Sequence, residues 1–161
     1  MSIEVGQNMP DGAFTVMGEE GPGPLTTDEL FKGKKVVLFA VPGAFTPACS
    51  AKHLPGFISK SDAIRGKGVD TIGCLSVNDV FVMSEWGKAQ GADSKVLMLA
   101  DGNADYVQKL GLDLDASGFG MGTRAERFAL IVEDSKVVKV LKESVISEVK
   151  ESSAENVLEN L

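Results

Sequence analysis

Cysteine and histidine are scarce in this chain. Among 161 residues there are two cysteines, Cys49 and Cys74, and one histidine, His53. Two cysteines do not make a disulfide scaffold, and with a single histidine they cannot close a structural zinc site. In a reducing compartment such a pair is more often catalytic than structural. Basic residues are also in the minority, 16 Lys and Arg against 23 Asp and Glu, and the net charge of -7 argues against a polyanion-binding surface, so no nucleic-acid partner is expected. No apolar run approaches the roughly 20 residues of a membrane span, so no membrane association is expected. Residues 1–7 have neither a cationic start nor an apolar h-region, which argues against a secretory signal and makes a cytoplasmic location the default expectation. Internal repeats, domain linkers and low-complexity segments are missing too. What is present, 43% hydrophobic and 24% charged residues, is ordinary for a soluble protein, and residues 1–161 are expected to form one domain with a substantial core.

The most informative stretch spans residues 36–50. Val36-Val37-Leu38-Phe39-Ala40-Val41 has the length and β-branched content of a buried strand, and Pro42 and Gly43 end it. Thr46 is placed to cap a helix whose first residue is Pro47, where a missing N–H costs nothing. Cys49 then falls in the first helical turn, above a strand's carboxyl end. A free thiol has a pKa near ~8.5, so only a few per cent is nucleophilic at neutral pH. Lowering such a thiol to about 6 takes roughly 3.4 kcal/mol of preference for the anion, at about 1.36 kcal/mol per unit. A helix N-terminus gives ~0.3–1 kcal/mol and about 2 at best, so a nearby cation is required. The chain offers three arginines, Arg65, Arg124 and Arg127. The competing reading of Cys49 is a small buried hydrophobe.

Taken in order, Ala13–Met17 reads as a short strand followed by a turn at Gly21–Pro24. Thr26 or Thr27 caps a short helix through Phe31, and the strand and helix around Cys49 follow. Pro55 and Gly56 are expected to kink that helix, which resumes through Phe57 and Ile64 and stops at Gly66. Strands are predicted at Val69–Val77 and Val96–Leu99, helices at Val80–Gln90 and Ala104–Leu110, and a glycine-rich loop at Gly111–Gly122. Phe128–Val132 and Lys136–Leu141 read as a hairpin around Asp134-Ser135, and Ser152-Ser153-Ala154-Glu155 as the capping box of a C-terminal helix. The alternation predicts an α/β protein with a mixed central sheet flanked by helices.

Thr46-Pro47-Ala48-Cys49 resembles a thioredoxin-type C-x-x-C whose first cysteine is threonine. The partner thiol for dithiol exchange is gone, and a hydroxyl stands in its place. Such a site suits a thiolate that attacks a small polar molecule. Written out, Pro42-Gly43-Ala44-Phe45-Thr46-Pro47-Ala48-Cys49-Ser50 resembles the active-site motif of the peroxiredoxins, closest to the atypical or type II branch, the peroxiredoxin-five subfamily. The likeness extends over Lys52–Phe57, Ser76–Asp79 with Phe81, Val82 and Trp86, Ala100–Asn103, and Arg127-Phe128-Ala129. It implies a thioredoxin-like fold and reduction of hydrogen peroxide and alkyl hydroperoxides. It also implies that Cys49 is the peroxidatic nucleophile, that Thr46 hydrogen-bonds thiolate and peroxide, that Arg127 is the active-site cation, and that Pro42 shields the site. Arg124 also fits the family pattern, as a supporting or surface residue.

Cys74 lies inside an otherwise apolar strand and has two readings, a packed core thiol or a resolving cysteine that attacks the sulfenic acid. A second cysteine at this spacing resembles plant-like members of the branch. A disulfide needs Cα atoms about 4.4–6.8 Å apart, which would require the Cys49 helix to unwind. Otherwise recycling falls to glutathione with glutaredoxin, or to thioredoxin. His53, one turn beyond Cys49, is badly placed for proton transfer to the sulfur and is expected to be a local hydrogen-bonding or packing residue. Gly118–Gly122 lacks the final glycine of a dinucleotide fingerprint. Asp101–Asp105 starts like a calcium loop, but Tyr106 stands where glycine is needed. No cofactor is implied. The leading expectation is a thiol-dependent peroxidase, against a redox-sensing or binding module with little turnover and, more remotely, a cysteine hydrolase. The family likeness further suggests a homodimer, with Phe45, Phe81 and Val82 supplying apolar contact.

Overall fold

The computed structural model describes all residues from Met1 to Leu161. Ala13–Gly18 (β1) pairs antiparallel with Gly21–Thr26 (β2), so the segment predicted as a turn is itself strand and the reversal lies just before it. β2 is a border strand, where Pro22 and Pro24 can forgo ladder hydrogen bonds. Thr26 then opens α1 (Thr27–Phe31) through a capping box with Glu29. β3 (Lys35–Ala40) is buried on both faces, which is why it reads as a continuous apolar run rather than an alternation.

A helical stretch over residues 47–59 follows, ending in α2 (Leu54–Ser59), and α3 (Ser61–Arg65) leads into β4 (Thr71–Ser76). α4 (Val80–Gln90) has the predicted bounds because both its ends are written locally. Asp79 accepts from the Val82 N–H, and Gly91 takes the left-handed conformation at φ 74°. β5 (Leu97–Ala100) and α5 (Asp105–Leu110) come next. The expected loop at Gly111–Gly122 instead contains β6 (Asp113–Asp115), which pairs antiparallel with β7 (Thr123–Ala125) across a 3₁₀ turn at Ser117–Phe119. Strands of three residues carry too little alternation to be read beside so many glycines.

β8 (Phe128–Glu133) and β9 (Lys136–Lys142) form the predicted hairpin, with Asp134 and Ser135 at φ 46° and 66°, as the tight turn between right-twisted strands demands. α6 (Ala154–Glu159) is capped by Ser153, which accepts from Asn156, one residue later than the predicted Ser152–Glu155 box.

The main sheet has the order β2-β1-β5-β4-β3-β8-β9, with β3, β4 and β5 parallel and the remainder antiparallel. Alternate residues of β3 feed two cores. Val36 and Leu38 join Leu75 and Leu130 against α1 and α5, while Val37 and Phe39 join Cys74, Trp86 and Val157 under the helices of the opposite face. This is the mixed sheet between helical layers of a thioredoxin-like fold. β3 and β4 end side by side, and the loops leaving them carry the site.

Candidate active site

Gly43 fits closely where the chain leaves β3, since a Cβ there would sit 3.1 Å from Thr46 Cγ2 and 3.4 Å from an Arg124 nitrogen and would press on both side chains. Phe45 has φ 63°, a left-handed conformation that a bulky residue rarely adopts. Asn78 holds the loop in that form, its Oδ1 accepting from Ala44 N–H at 2.9 Å and from the Ser76 hydroxyl at 2.6 Å. Thr46 starts the helix through its carbonyl, which accepts from Ser50 N–H. Its hydroxyl differs from expectation. It donates to Gly43 O at 2.6 Å, and the cap bond from Cys49 N–H is not made, so that amide has no acceptor within the chain.

Cys49–His53 form a single π-turn in which Leu54 N–H reaches back five residues to Cys49 O. The irregularity expected at Pro55-Gly56 therefore lies one turn earlier. Pro55 has no N–H with which to continue an α-helical ladder, and the ladder widens just ahead of it. The wider turn carries Cys49 and His53, both buried, into the layer of Phe39 and Phe57.

The predicted pairing of Cys49 with Arg127 is present. Arg127 is 2% exposed, and all three of its nitrogens donate: Nη2 to Cys49 Sγ at 3.1 Å, Nη1 to His53 Nδ1 at 2.9 Å, and Nε to Ile146 O at 2.8 Å. A guanidinium can only donate, so His53 Nδ1 is the acceptor and Nε2 carries the proton, donated to Ser152 O at 2.9 Å. Burial, reinforced by the neighbouring Arg127 charge and only partly offset by the Ser152 carbonyl, pushes His53 down to about 3. It is a neutral ring at pH 7, committed to Arg127 and not to the sulfur, which removes the cysteine hydrolase arrangement.

The other arginines do not reach the sulfur. Arg124 donates to Met121 O at 2.8 Å and Val77 O at 3.1 Å, tying the β6–β7 hairpin to the end of β4 beneath Gly43, a supporting role. Arg65 binds the carbonyls of Asp70, Ser94 and Lys95. Pro42 is half-buried, two residues past the end of β3.

Cys74 is fully buried in β4, opposite Phe39 and Met98, and both cysteines are free thiols. Burial, and to a lesser degree the charge of Cys49, pushes the Cys74 thiol well up, against a smaller pull from Arg127. Several participants escaped the sequence reading. Asn78 lies in the Ser76–Asp79 stretch of the family likeness and Ser152 in the predicted capping box, but their contacts in the site, that of Ile146 and the acceptor role of His53 have no local signature, and the His53–Arg127 contact spans 74 positions. Trp86 Nε1 also donates to Ser50 Oγ at 2.9 Å, which puts the only tryptophan beside the residue after Cys49.

A buried thiol in contact with a guanidinium on a thioredoxin-like sheet is the arrangement implied by the Pro42–Ser50 motif. A family model described as Redoxin matches residues 4–158. Peroxiredoxin-2B of Arabidopsis thaliana is 46% identical over 160 residues, covering 99% of this chain and 98% of that protein. The chain belongs to the peroxiredoxin family. Chloroplastic peroxiredoxin-2E of the same plant is 45% identical over 165 residues, 99% of this chain and 70% of that one. Reduced Prx3 from Vibrio vulnificus, solved in complex with H2O2, is 46% identical with a TM-score of 0.92, covering 98% of each chain. The two peroxiredoxin-2 relatives are of type II, and this peroxiredoxin is a thiol-dependent peroxidase; a sensing or binding module of little turnover is not favoured.

Proposed function

We propose that Cys49 is the peroxidatic nucleophile and that Arg127, Thr46 and the Cys49 amide activate it and its substrate. The observation that carries the reading is the 3.1 Å contact from Arg127 Nη2 to Cys49 Sγ inside a site from which water is largely excluded. There the hydrogen bond from the guanidinium to the sulfur is stronger than the same contact would be in water. The Cys49 thiolate attacks the terminal oxygen of hydrogen peroxide or an alkyl hydroperoxide. The S–O bond forms as the O–O bond breaks, leaving Cys49 as sulfenic acid, and the departing alkoxide or hydroxide takes up a proton. Arg127 and the unengaged Cys49 N–H supply donors for the charge on that oxygen. The Thr46 hydroxyl already donates its hydrogen bond to Gly43 O, so toward the peroxide it serves as acceptor, which orients the O–H. Pro42, half-buried in the same loop, is given the role of shielding the site on the strength of the family resemblance.

The sulfenic acid is recycled by an external thiol, glutathione with glutaredoxin or thioredoxin. The support is the state of Cys74, a mid-strand core thiol whose ionisation is opposed by its surroundings. A homodimer packed through Phe45, Phe81 and Val82 is proposed on the exposure of two large rings, 57% for Phe45 and 61% for Phe81. Two free thiols suit a reducing compartment, and a cytoplasmic location is proposed on that ground.

Stopped-flow mixing of reduced enzyme with hydrogen peroxide or cumene hydroperoxide, followed by Trp86 fluorescence, tests the chemistry. Cys49→Ser should abolish the reaction, and Cys74→Ser should leave the first step and glutaredoxin-supported turnover intact. A wild type no faster than a simple thiol overturns the reading. A Cys49–Cys74 bond found by mass spectrometry would show instead that residues 47–59 unwind and that Cys74 resolves.

A further inference from the structure

Between β9 and α6 the chain runs through residues 143–153 with neither helix nor strand, and only Glu143 and Ser152 of this strap are buried. Two strap carbonyls nevertheless enter the site, Ile146 O accepting from Arg127 Nε and Ser152 O from His53 Nε2. Something must hold an irregular segment of so little burial if both carbonyls are to stay in place. The two buried residues do so by binding each other. Glu143 Oε2 accepts from Ser152 Oγ at 2.6 Å, Ser152 N–H at 2.7 Å and Lys150 N–H at 2.9 Å. Glu143 is itself fixed beside the site, because its N–H donates to Arg127 O at 3.0 Å. A carboxylate 6% exposed is costly to bury, and three donors on one oxygen compensate it.

We propose that Glu143 is a positioning residue for the peroxide reaction, its carboxylate tying down the strap whose carbonyls hold His53 against Arg127 and so aim Arg127 at Cys49. The order of contacts is Glu143 to Ser152, Ser152 O to His53, His53 to Arg127, and Arg127 to sulfur. Glu143 touches neither sulfur nor substrate. It acts by keeping the guanidinium fork from turning away, where a displacement of about 1 Å costs on the order of 10²-fold in rate. The inference rests on Cys49 and Arg127 performing the peroxide step.

The test compares Glu143→Ala with Glu143→Gln, whose amide oxygen can accept the same three bonds. Glu143→Ala should lower the second-order rate of Cys49 oxidation by hydrogen peroxide about 10–100-fold, and Glu143→Gln should stay within about threefold of wild type. The ring nitrogens of the single histidine give a second readout. In ¹⁵N-histidine-labelled wild type one is protonated and one is not, so their signals lie far apart. In Glu143→Ala they should draw together as the tautomer is released, and in Glu143→Gln they should stay apart. If the alanine variant does not fold, Glu143→Asp, which withdraws the acceptor by one methylene, carries the same expectation. A folded Glu143→Ala with wild-type rate, a glutamine variant as slow as alanine, or a slow variant with unchanged histidine signals would each overturn the proposal. Cys49→Ser, run in parallel, separates the two levels. If it still consumes peroxide, the Cys49 reading itself has failed; if it is dead while Glu143→Ala is fast, only the strap has.

Discussion

His53 should make the stability of the enzyme fall in mild acid, and replacing it should flatten that fall. Buried between Phe39 and Phe57 and facing Arg127, the ring titrates near 3 in the folded chain against 6.5 for an unperturbed histidine. The unfolded chain therefore takes up a proton around pH 6.5 that the folded chain refuses until about 3. The stability tied to the neutral ring is fully present above pH 6.5 and is lost progressively as the pH falls toward 3. At about 1.36 kcal/mol per unit, the loss is between about 2 and 3 kcal/mol at pH near 4.5, a large share of the ~5–15 kcal/mol that typically holds a domain folded. Glutamine at position 53 offers an acceptor to Arg127 and a donor to Ser152 O but does not titrate. Urea unfolding of wild type and His53→Gln, followed by circular dichroism from about pH 7.5 down to 4.5, isolates the term, because every carboxylate common to both cancels in the difference. The wild type should lose about 2–3 kcal/mol more than the variant. Parallel curves would falsify the argument, since they would mean that the ring is protonated in the fold or exposed before unfolding.

Arg127→Lys keeps the charge but cannot serve the sulfur, the imidazole and the Ile146 carbonyl together, so peroxide reactivity should fall about 10²-fold in single-turnover mixing; a rate near wild type would mean that charge alone suffices. Asn78→Ala leaves the Ala44 N–H and the Ser76 hydroxyl without their acceptor and frees the strained Phe45 turn. Oxidation of Cys49 should slow about tenfold and stability should drop by about 1–3 kcal/mol, both read on one sample; unchanged rates would show that the loop holds itself. Gly111→Ala puts a Cβ at φ +70° and into the Met1 carbonyl, with Ser2 Cα 2.9 Å away. Chemical denaturation should register a loss of more than about 1 kcal/mol without any change in peroxide rate, and an unaltered midpoint would contradict the placement of residues 1–3 against α5.

What could be read from the residues alone was whatever is written over a few neighbours. Val36–Val41 announced a strand buried on both faces, Asp79 and Gly91 bracketed α4, and Thr46-Pro47-Ala48-Cys49 located the nucleophile candidate. The need for a cation followed from an energy shortfall, since a helix end alone is too weak to ionise a thiol, but the choice of Arg127 among three arginines came from the family resemblance. The misreadings have equally local causes. Pro22 and Pro24 resemble a turn until the segment is known to lie at the sheet's border. Ser152 and Ser153 are adjacent and chemically alike, and the choice between them as cap was settled by Glu143, which claims the first. Thr46 has a proton and lone pairs to offer, and nothing nearby in sequence says that Gly43 O takes the proton. The Arg127–His53–Ser152 chain joins three distant segments, so its pairings exist only once β8, the π-turn and the strap have been folded together.

The two margins of the seven-stranded sheet bear on how copies of this enzyme meet. At one, the prolines of β2 leave no amide at positions 22 and 24 for a foreign strand to bind; at the other, residues 6–9 already pair with the start of β9, and beyond them Lys139 and Lys142 stand exposed, so a second β9 laid alongside would bring like charges together. Neither side invites strand-on-strand growth. Encounters between molecules are thereby directed to the loop-bearing ends of the sheet, and crowding or repeated oxidation should not recruit the fold into fibrous aggregates.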